Sequence, residues 1–311
     1  MKENVVAAVV VTYNRKELLQ ECLEALLNQK DIDVDIIVVD NASSDGTDEL
    51  MDEYITHTKD MSNNVYYIRL KENIGGSGGF YKGIKKAAEL SYHYIWIMDD
   101  DTIAKEDACI ELVHTARLLD DDFGYLSSTV LWTDNKSCEM NIQKFDNNIS
   151  KSYKYVQKGI VPVKSATFVS LFINLKAVKM LGLPLKEYFI WGDDKEYTLR
   201  LSKEYGCYYV SKSVVIHKMQ TNNGSNIVSD DKTRISRYYY AYRNDLATAK
   251  KCGWKEVVNY YIIFVKTIVR IIRSGSSSKL KRIDAMFRGM FRGIFFNPKP
   301  EYIPETETIG K

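Results

Sequence analysis

The sequence predicts an α/β fold, a mostly parallel sheet flanked by helices, with a helical, basic C-terminal region. Three observations carry this. Four short β-rich runs recur within the first hundred residues, segments of helical period separate them, and a polar residue stands just past each run.

Val5–Val11 is a continuous β-branched and alanine run, as expected of a strand covered on both faces. Asn14 then reads as an N-cap. Arg15–Gln29 follows with Leu18, Leu19, Cys22, Leu23, Leu26 and Leu27 at helical spacing. Ile36–Val39 is a second buried strand, and Ser43, Ser44 and Asp45 offer caps for a helix from about Thr47. Val65–Leu70 is the third strand. A glycine run follows as a loop, then a helix near Phe80–Ser91. Tyr94–Met98 is the fourth strand and runs into three aspartates. This order predicts a parallel sheet whose ligands bind beyond the carboxyl ends of the strands, where Thr12, Asp40, Asn73 and Asp99 converge. Residues 134–152 read as a polar loop or hairpin near an acceptor, and residues 161–216 return to strand and helix signals.

The chain has 311 residues, room for one large domain or one domain with an appendage. A net charge of +2 makes no case for nucleic acid. The five cysteines form no CxxC pair, which argues against a disulfide framework or a zinc site and fits a reducing cytoplasm. The first apolar run is too short for a signal peptide, and no stretch reaches the roughly 18 apolar residues of a membrane span.

Asp99, Asp100 and Asp101 concentrate negative charge that a hard divalent cation would compensate through oxygen ligands. Such a cation also stabilises charge on a departing phosphate. Alternation along the strand lets Asp99 and Asp101 act together. Alone, an acidic triplet fits a solvated turn or helix cap better than a metal site. In FIWGDDKEYTLR, Asp193 and Asp194 start a helix, Trp191 can wall a sugar site, and Glu196 with Arg200 has i, i+4 ion-pair spacing. A carboxylate there can take a proton from an acceptor hydroxyl. His217 ends a strand-like run and can add imidazole nitrogen to a metal shell. The run Asn73–Gly83 is neither a Walker loop nor a dinucleotide fingerprint, yet it allows close backbone approach to an anion.

Together, VVVTYNR at 9–15, VVDNASSDGT at 38–47, NIGGSGGFYKG at 73–83, DDD at 99–101, FIWGDDKEYTLR at 189–200 and His217 resemble the family 2 inverting glycosyltransferases. Six pieces in family order span residues 5–217, about two thirds of the chain. The resemblance implies a GT-A (Rossmann-like) fold over residues 1–242 and a divalent metal, Mn2+ or Mg2+. It places Thr12, Asn14, Arg15, Asp40, Asn73, Gly75, Gly76, Asp99 and Asp100 around the donor nucleotide. Asp99, Asp101 and His217 would hold the metal. Asp194 or Asp193 would be the base, with Asp194 favoured, and Trp191 would face the acceptor. NIGGSGGF with DDD and the Trp-Gly-Asp-Asp element looks most like the bacterial galactofuranosyltransferases, which use UDP-galactofuranose. Rhamnosyltransferases using dTDP-rhamnose are the second match, and an inactive nucleotide-sugar binder is the alternative of another class.

Residues 243–311 form the basic region, with 13 Lys or Arg and three acids between 243 and 299. Two amphipathic helices over 257–296 suit peripheral contact with an anionic bilayer. They would hold the enzyme at the inner face of the cell membrane beside a glycan or lipid-linked glycan acceptor. Packing on the catalytic domain, or in a homo-oligomer, is the alternative use of their apolar faces. No stacking module accompanies the basic residues, so nucleic acid is not expected as a partner.

Overall fold

Strand β1 (Val6–Thr12) is buried at every position and serves both faces of the sheet. Val6, Ala8 and Val10 pack on Leu19 and Leu23 of α1 (Lys16–Leu27), while Ala7, Val9 and Val11 pack on Phe80 and Ile84 of α3 (Gly75–Glu89). β1 pairs in parallel with β2 (Asp35–Asp40) and with β4 (Tyr94–Asp99), and β3 (Val65–Arg69) extends the block beyond β2. Helix α2 (Thr47–His57) makes the crossover from β2 to β3. The computed structural model describes residues 5–146 and 153–304.

The second half continues through β5 (Thr102–Ala104), α4 (Ala108–Leu118), β6 (Tyr125–Leu131), β7 (Lys144–Phe145) and α5 (Tyr153–Val156). Then come β8 (Ile160–Ser165), β9 (Leu171–Asn174), α6 (Leu175–Leu181), α7 (Asp193–Glu204) and β10 (Tyr208–His217). Strand order is β3-β2-β1-β4-β9-β6-β10-β8-β7, with β5 on β10. The sheet is parallel from β3 to β4. Beyond that it is mixed, because β9 runs antiparallel to both β4 and β6. The antiparallel pairing of β5 with β10 sets His217 opposite Thr102, directly after the aspartate triplet.

Two local expectations are corrected. Asn14 does not cap α1. Its φ is 52° and its Oδ1 accepts from Ser44 N, while the first-turn Lys16 N is taken by Asp45 Oδ2 at 3.0 Å. The glycine run is not a loop before a helix at Phe80, because α3 starts at Gly75. A β-carbon would come within 2.6 Å of Val11 at Gly79 and 2.2 Å of Val9 at Gly83, so these glycines bring α3 close onto β1. The polar stretch at 134–152 holds a 3-10 turn, Glu139–Asn141, and the short edge strand β7, and its residues 147–152 lie outside the described residues.

Three helices close the fold: α8 (Tyr238–Cys252), α9 (Trp254–Arg273) and α10 (Lys279–Phe295). Residues 242 and 243, where the sequence reading divides the chain, are neighbours inside α8. The helices share a core of Leu246, Tyr260, Phe264, Ile271 and Met286. Helix α10 lies close on α8 because a β-carbon at Gly289 would stand 2.5 Å from Tyr239 O, and one at Gly293 would stand 3.0 Å from Arg243 O. Among the described residues, no helix is long and apolar enough to cross a membrane.

Candidate active site

The aspartate triplet sits at the carboxyl end of β4, as the topology of a parallel block requires. Asp100 turns to β1, accepting from Thr12 Oγ1 at 2.7 Å and from Arg15 Nη1 at 3.1 Å. Asp101 accepts from Arg15 Nη1 at 2.8 Å through one oxygen and faces His217 Nε2 at 3.0 Å with the other. Asp99, Asp101 and His217 offer ligand atoms that all lie within 4.8 Å of one another.

The donor atoms of this cluster suit a cation. Asp101 Oδ1 is buried, and the imidazole Nε2 of His217, 3.0 Å away, is the polar group it faces. Asn141 Oδ1 lies 2.8 Å from His217 Nδ1, and Asn141 Nδ2 donates to Thr167 Oγ1 at 2.7 Å. With Asn141 Oδ1 accepting, Nδ1 carries a hydrogen, and the Nε2 lone pair becomes available to a ligand once the Nε2 proton is lost. Two carboxylates and one oriented imidazole fit Mn2+ or Mg2+ in donor chemistry.

Without an ion the cluster is electrostatically frustrated. Burial, reinforced by Asp101, pushes Asp99 up to about 8, and burial pushes Asp100 up to about 6 despite Arg15. Burial also acts to raise Asp101, but His217 and Arg15 outweigh it and hold that carboxyl below its ordinary range. Burial would lower His217, yet Asp101, Cys138 and Asp99 raise it to about 10.

The donor candidates at the other strand ends are held by one another. Asp40 accepts from Ser43 N at 2.8 Å and from Tyr67 OH at 2.7 Å, so both carboxylate oxygens have partners within the protein. Asn73 Oδ1 accepts at 2.8 Å from the N–H of Gly75, the first residue of α3. Asn41, buried beside Asp40, donates to Gly75 O at 3.3 Å and accepts from Ile74 N at 3.3 Å. At Gly76 a β-carbon would meet nothing within 4 Å, so this residue faces open space. Gly75, at φ 78°, is covered instead: a β-carbon there would lie 2.0 Å from Phe189 O.

That contact joins the donor side to the helix carrying the second acidic pair. Phe189, Trp191 and Gly192 have φ values of 66°, 63° and 84°, a run of left-handed backbone just before Asp193. Asp193 is buried and Asp194 half-buried in the first turn of α7. Burial raises Asp193 above its ordinary value. Burial, with the charge of Asp193, pushes Asp194 up to about 7, the range of a general base at neutral pH. Glu196 pairs with Arg200 at 3.0 Å, and that guanidinium also donates to the Gly182 and Leu183 carbonyls. Trp191 is half-buried against Tyr238, ring centroids 5.0 Å apart.

Sequence reading missed what holds this run in place. Asn244 on α8 donates to the carbonyls of Tyr188, Ile190 and Trp191 at 3.0, 3.1 and 2.7 Å. Its neighbour Arg243 donates to Glu187 O and Tyr188 O. An asparagine among Leu246, Ala247 and Ala249 on a buried helix face was the available signal. Beside α7, a cleft of about 620 Å3 is lined by Lys195, Asp245, Asn259, Tyr260 and Phe264. Lys195, next to the candidate base, pairs there with Asp245 at 2.9 Å.

The model of the family "Glycosyl transferase family 2" matches residues 7–166, about half of the chain and all of the parallel block. The chain belongs to glycosyltransferase family 2. Over 97 residues it is 39% identical to the galactofuranosyltransferase GlfT1 of Mycolicibacterium smegmatis, covering 31% of this chain and 30% of that protein. Over 104 residues it is 35% identical to the abequosyltransferase RfbV of Salmonella typhimurium, covering 32% of this chain and 29% of that protein. The chain thus spans under a third of the length of these relatives. A structure of GalNAc-T7 with UDP, GalNAc and Mn2+ superposes with a TM-score of 0.65 at 15% identity, over 93% of this chain and 56% of that one. The fold of this family 2 chain is the GT-A fold.

Proposed function

We propose that this family 2 chain is an inverting, metal-dependent glycosyltransferase that moves galactofuranose from UDP-galactofuranose to a glycan or lipid-linked glycan acceptor. One observation carries the reading. The Asp99–Asp101–His217 set stands at the carboxyl end of β4, and the backbone run leading to Asp194 meets the donor-side glycines where Ser77 N donates to Phe189 O at 3.2 Å. The galactofuranosyl donor is supported by the likeness to GlfT1, the likeness to the abequosyltransferase RfbV keeps other sugar donors in the comparison set, and dTDP-rhamnose stays there on the motif resemblance.

Asp99, Asp101 and His217 would hold Mn2+ or Mg2+, which when bound stabilises negative charge on a leaving diphosphate. The chain's own residues do the rest. Thr12, Asn14, Arg15, Asp40, Asn73, Gly75, Gly76 and Asp100 surround the donor side, and the open space beside Gly76 leaves room for the nucleotide. Asp194 takes the proton of the acceptor hydroxyl. That oxygen attacks the anomeric carbon opposite the diphosphate, so configuration inverts in one step with no covalent enzyme intermediate. Burial, with the charge of neighbouring Asp193, keeps the base in its titrating range. Trp191 and the cleft along α7 form the acceptor side, and the helices over 257–296 bring it to the inner face of the cell membrane.

The deciding experiment incubates the protein and Mn2+ with a panel of nucleotide sugars and measures nucleotide release, with and without EDTA. UDP release from UDP-galactofuranose alone, abolished by EDTA, is expected. Release from dTDP-rhamnose would overturn the donor assignment and keep the mechanism. No calorimetric binding of any donor would overturn the enzyme reading.

A further inference from the structure

Helix α9 touches the rest of the protein along one narrow stripe of Tyr260, Phe264, Thr267 and Ile271. At about 100° per residue, Val258, Tyr261, Ile262, Val265, Val269 and Ile272 fall within about 100° of arc on the opposite side. Each is exposed by 39% to 58%. An unbroken apolar face of this length is more than an ordinary soluble surface leaves in water. Lys255, Lys266, Arg270 and Arg273 line one border of it, and Glu256 is the only acid of the helix.

We propose that this outward face of α9 is a docking surface for an anionic lipid bilayer, with α9 lying in the plane of the interface. The apolar arc sits among the acyl chains near the headgroups, and the cationic border meets the lipid phosphates. Charge decides between a bilayer and a second copy of the chain. A symmetric partner would bring the same cationic border to the seam with Glu256 as its only acid. An anionic surface complements the whole row.

The geometry ties this surface to the site. On its protein side, α9 holds α8 through Tyr260 OH, which donates to Tyr242 O at 3.1 Å, and through Phe264, edge-on to the Tyr242 ring at 5.6 Å. Arg243 and Asn244, which grip the backbone before Asp193, follow directly on α8. The docked face is thus one helix away from the candidate base. The proposal deepens the membrane reading above and rests on it for the acceptor's location only.

The test is flotation of the full chain with vesicles of phosphatidylcholine containing about a third phosphatidylglycerol, and with vesicles of phosphatidylcholine alone. Wild type is expected to float with the anionic vesicles and to be released by about 0.5 M salt. The triple variant Ile262→Ser/Val265→Ser/Val269→Ser, altered only at exposed positions, should lose at least about tenfold in partitioning. Its circular dichroism and UDP binding should be unchanged, which separates lost docking from lost folding. A second variant, Lys266→Glu/Arg270→Glu/Arg273→Glu, should bind the anionic vesicles no better than the neutral ones. Equal flotation of wild type and the triple variant would overturn the proposal. So would no flotation of wild type, or a dimer in sedimentation equilibrium that the triple variant dissociates. Since no sugar transfer is read, failure here leaves the nucleotide-release result standing, and the converse also holds.

Discussion

The side-chain amide of Asn244 donates to the main-chain oxygen of Trp191 at 2.7 Å, and the same nitrogen reaches the oxygens of Tyr188 and Ile190. One buried amide thus pins three carbonyls of a backbone run that is left-handed at Phe189, Trp191 and Gly192. Left-handed non-glycine residues persist only where their surroundings over-determine them. Asn244→Ala removes this donor from Ile190 O and Trp191 O, leaves Tyr188 O to Arg243, and is expected to cost about 1–3 kcal/mol in thermal or urea unfolding. The kinetic signature is more specific. Turnover should fall by about tenfold to a hundredfold, since misplacement of a reacting group by about 1 Å has that effect. Donor affinity by calorimetry should stay within about twofold, because Asn244 touches no donor residue. A loss confined to donor affinity would contradict this positioning role.

Asn141 offers a cleaner probe of the metal cluster, because it touches His217 and none of the aspartates. Asn141→Ala frees the imidazole to rotate and to change tautomer. Calorimetric Mn2+ affinity should fall by about tenfold to a hundredfold, the usual effect of removing an orienting partner of a metal-binding histidine. Asn141→Asp should restore most of it, since a carboxylate also accepts from Nδ1. Equal Mn2+ affinity in wild type and Asn141→Ala would remove His217 from the ligand set.

The metal-free cluster also makes a prediction about protons. Asp99 at about 8 and His217 at about 10 both lie above their ordinary values, so the folded protein holds more protons here than the unfolded chain does. Their linkage contribution is therefore fully present at low pH and is lost as pH rises through these folded values. The metal-free protein should melt at progressively lower temperature from pH 7 to pH 9. Ligation needs the lone pairs those protons occupy, so Mn2+ binding at pH 7 should release protons. Calorimetry in buffers of different ionisation enthalpy reads this directly, and a buffer-independent heat would refute it.

Much of this was legible in the sequence, for a physical reason. Strands covered on both faces must be continuous and apolar, so β1, β2 and β4 announce themselves in the sequence, and their polar neighbours fall at the carboxyl edge by topology alone. The glycine run misled because glycine weakens a helix in isolation, whereas here it lets α3 approach β1 more closely than any side chain allows. Asn141 and Arg243 left no pattern to read, and Asn244 left only a polar residue on an apolar helix face. Each acts on a partner at least 53 residues away, and in the case of Arg243 and Asn244 the partner is main chain, which carries no sequence identity.

The final prediction concerns pH and the base. Burial and the charge of Asp193 push Asp194 up to about 7. A base acts only when deprotonated, so turnover should climb with pH and level off above a midpoint near 7. Because the neighbouring charge is part of the cause, Asp193→Asn should move that midpoint down toward the ordinary carboxylate range, leaving appreciable turnover on the plateau. Asp194→Asn should differ in kind: turnover falls by about 10²–10⁴-fold, the worth of a general base, with no limb near 7 and with donor binding intact. The two profiles, measured as nucleotide release at saturating donor, therefore assign the base between two adjacent aspartates. An Asp193→Asn enzyme that is dead at every pH, beside an active Asp194→Asn enzyme, would reverse the assignment.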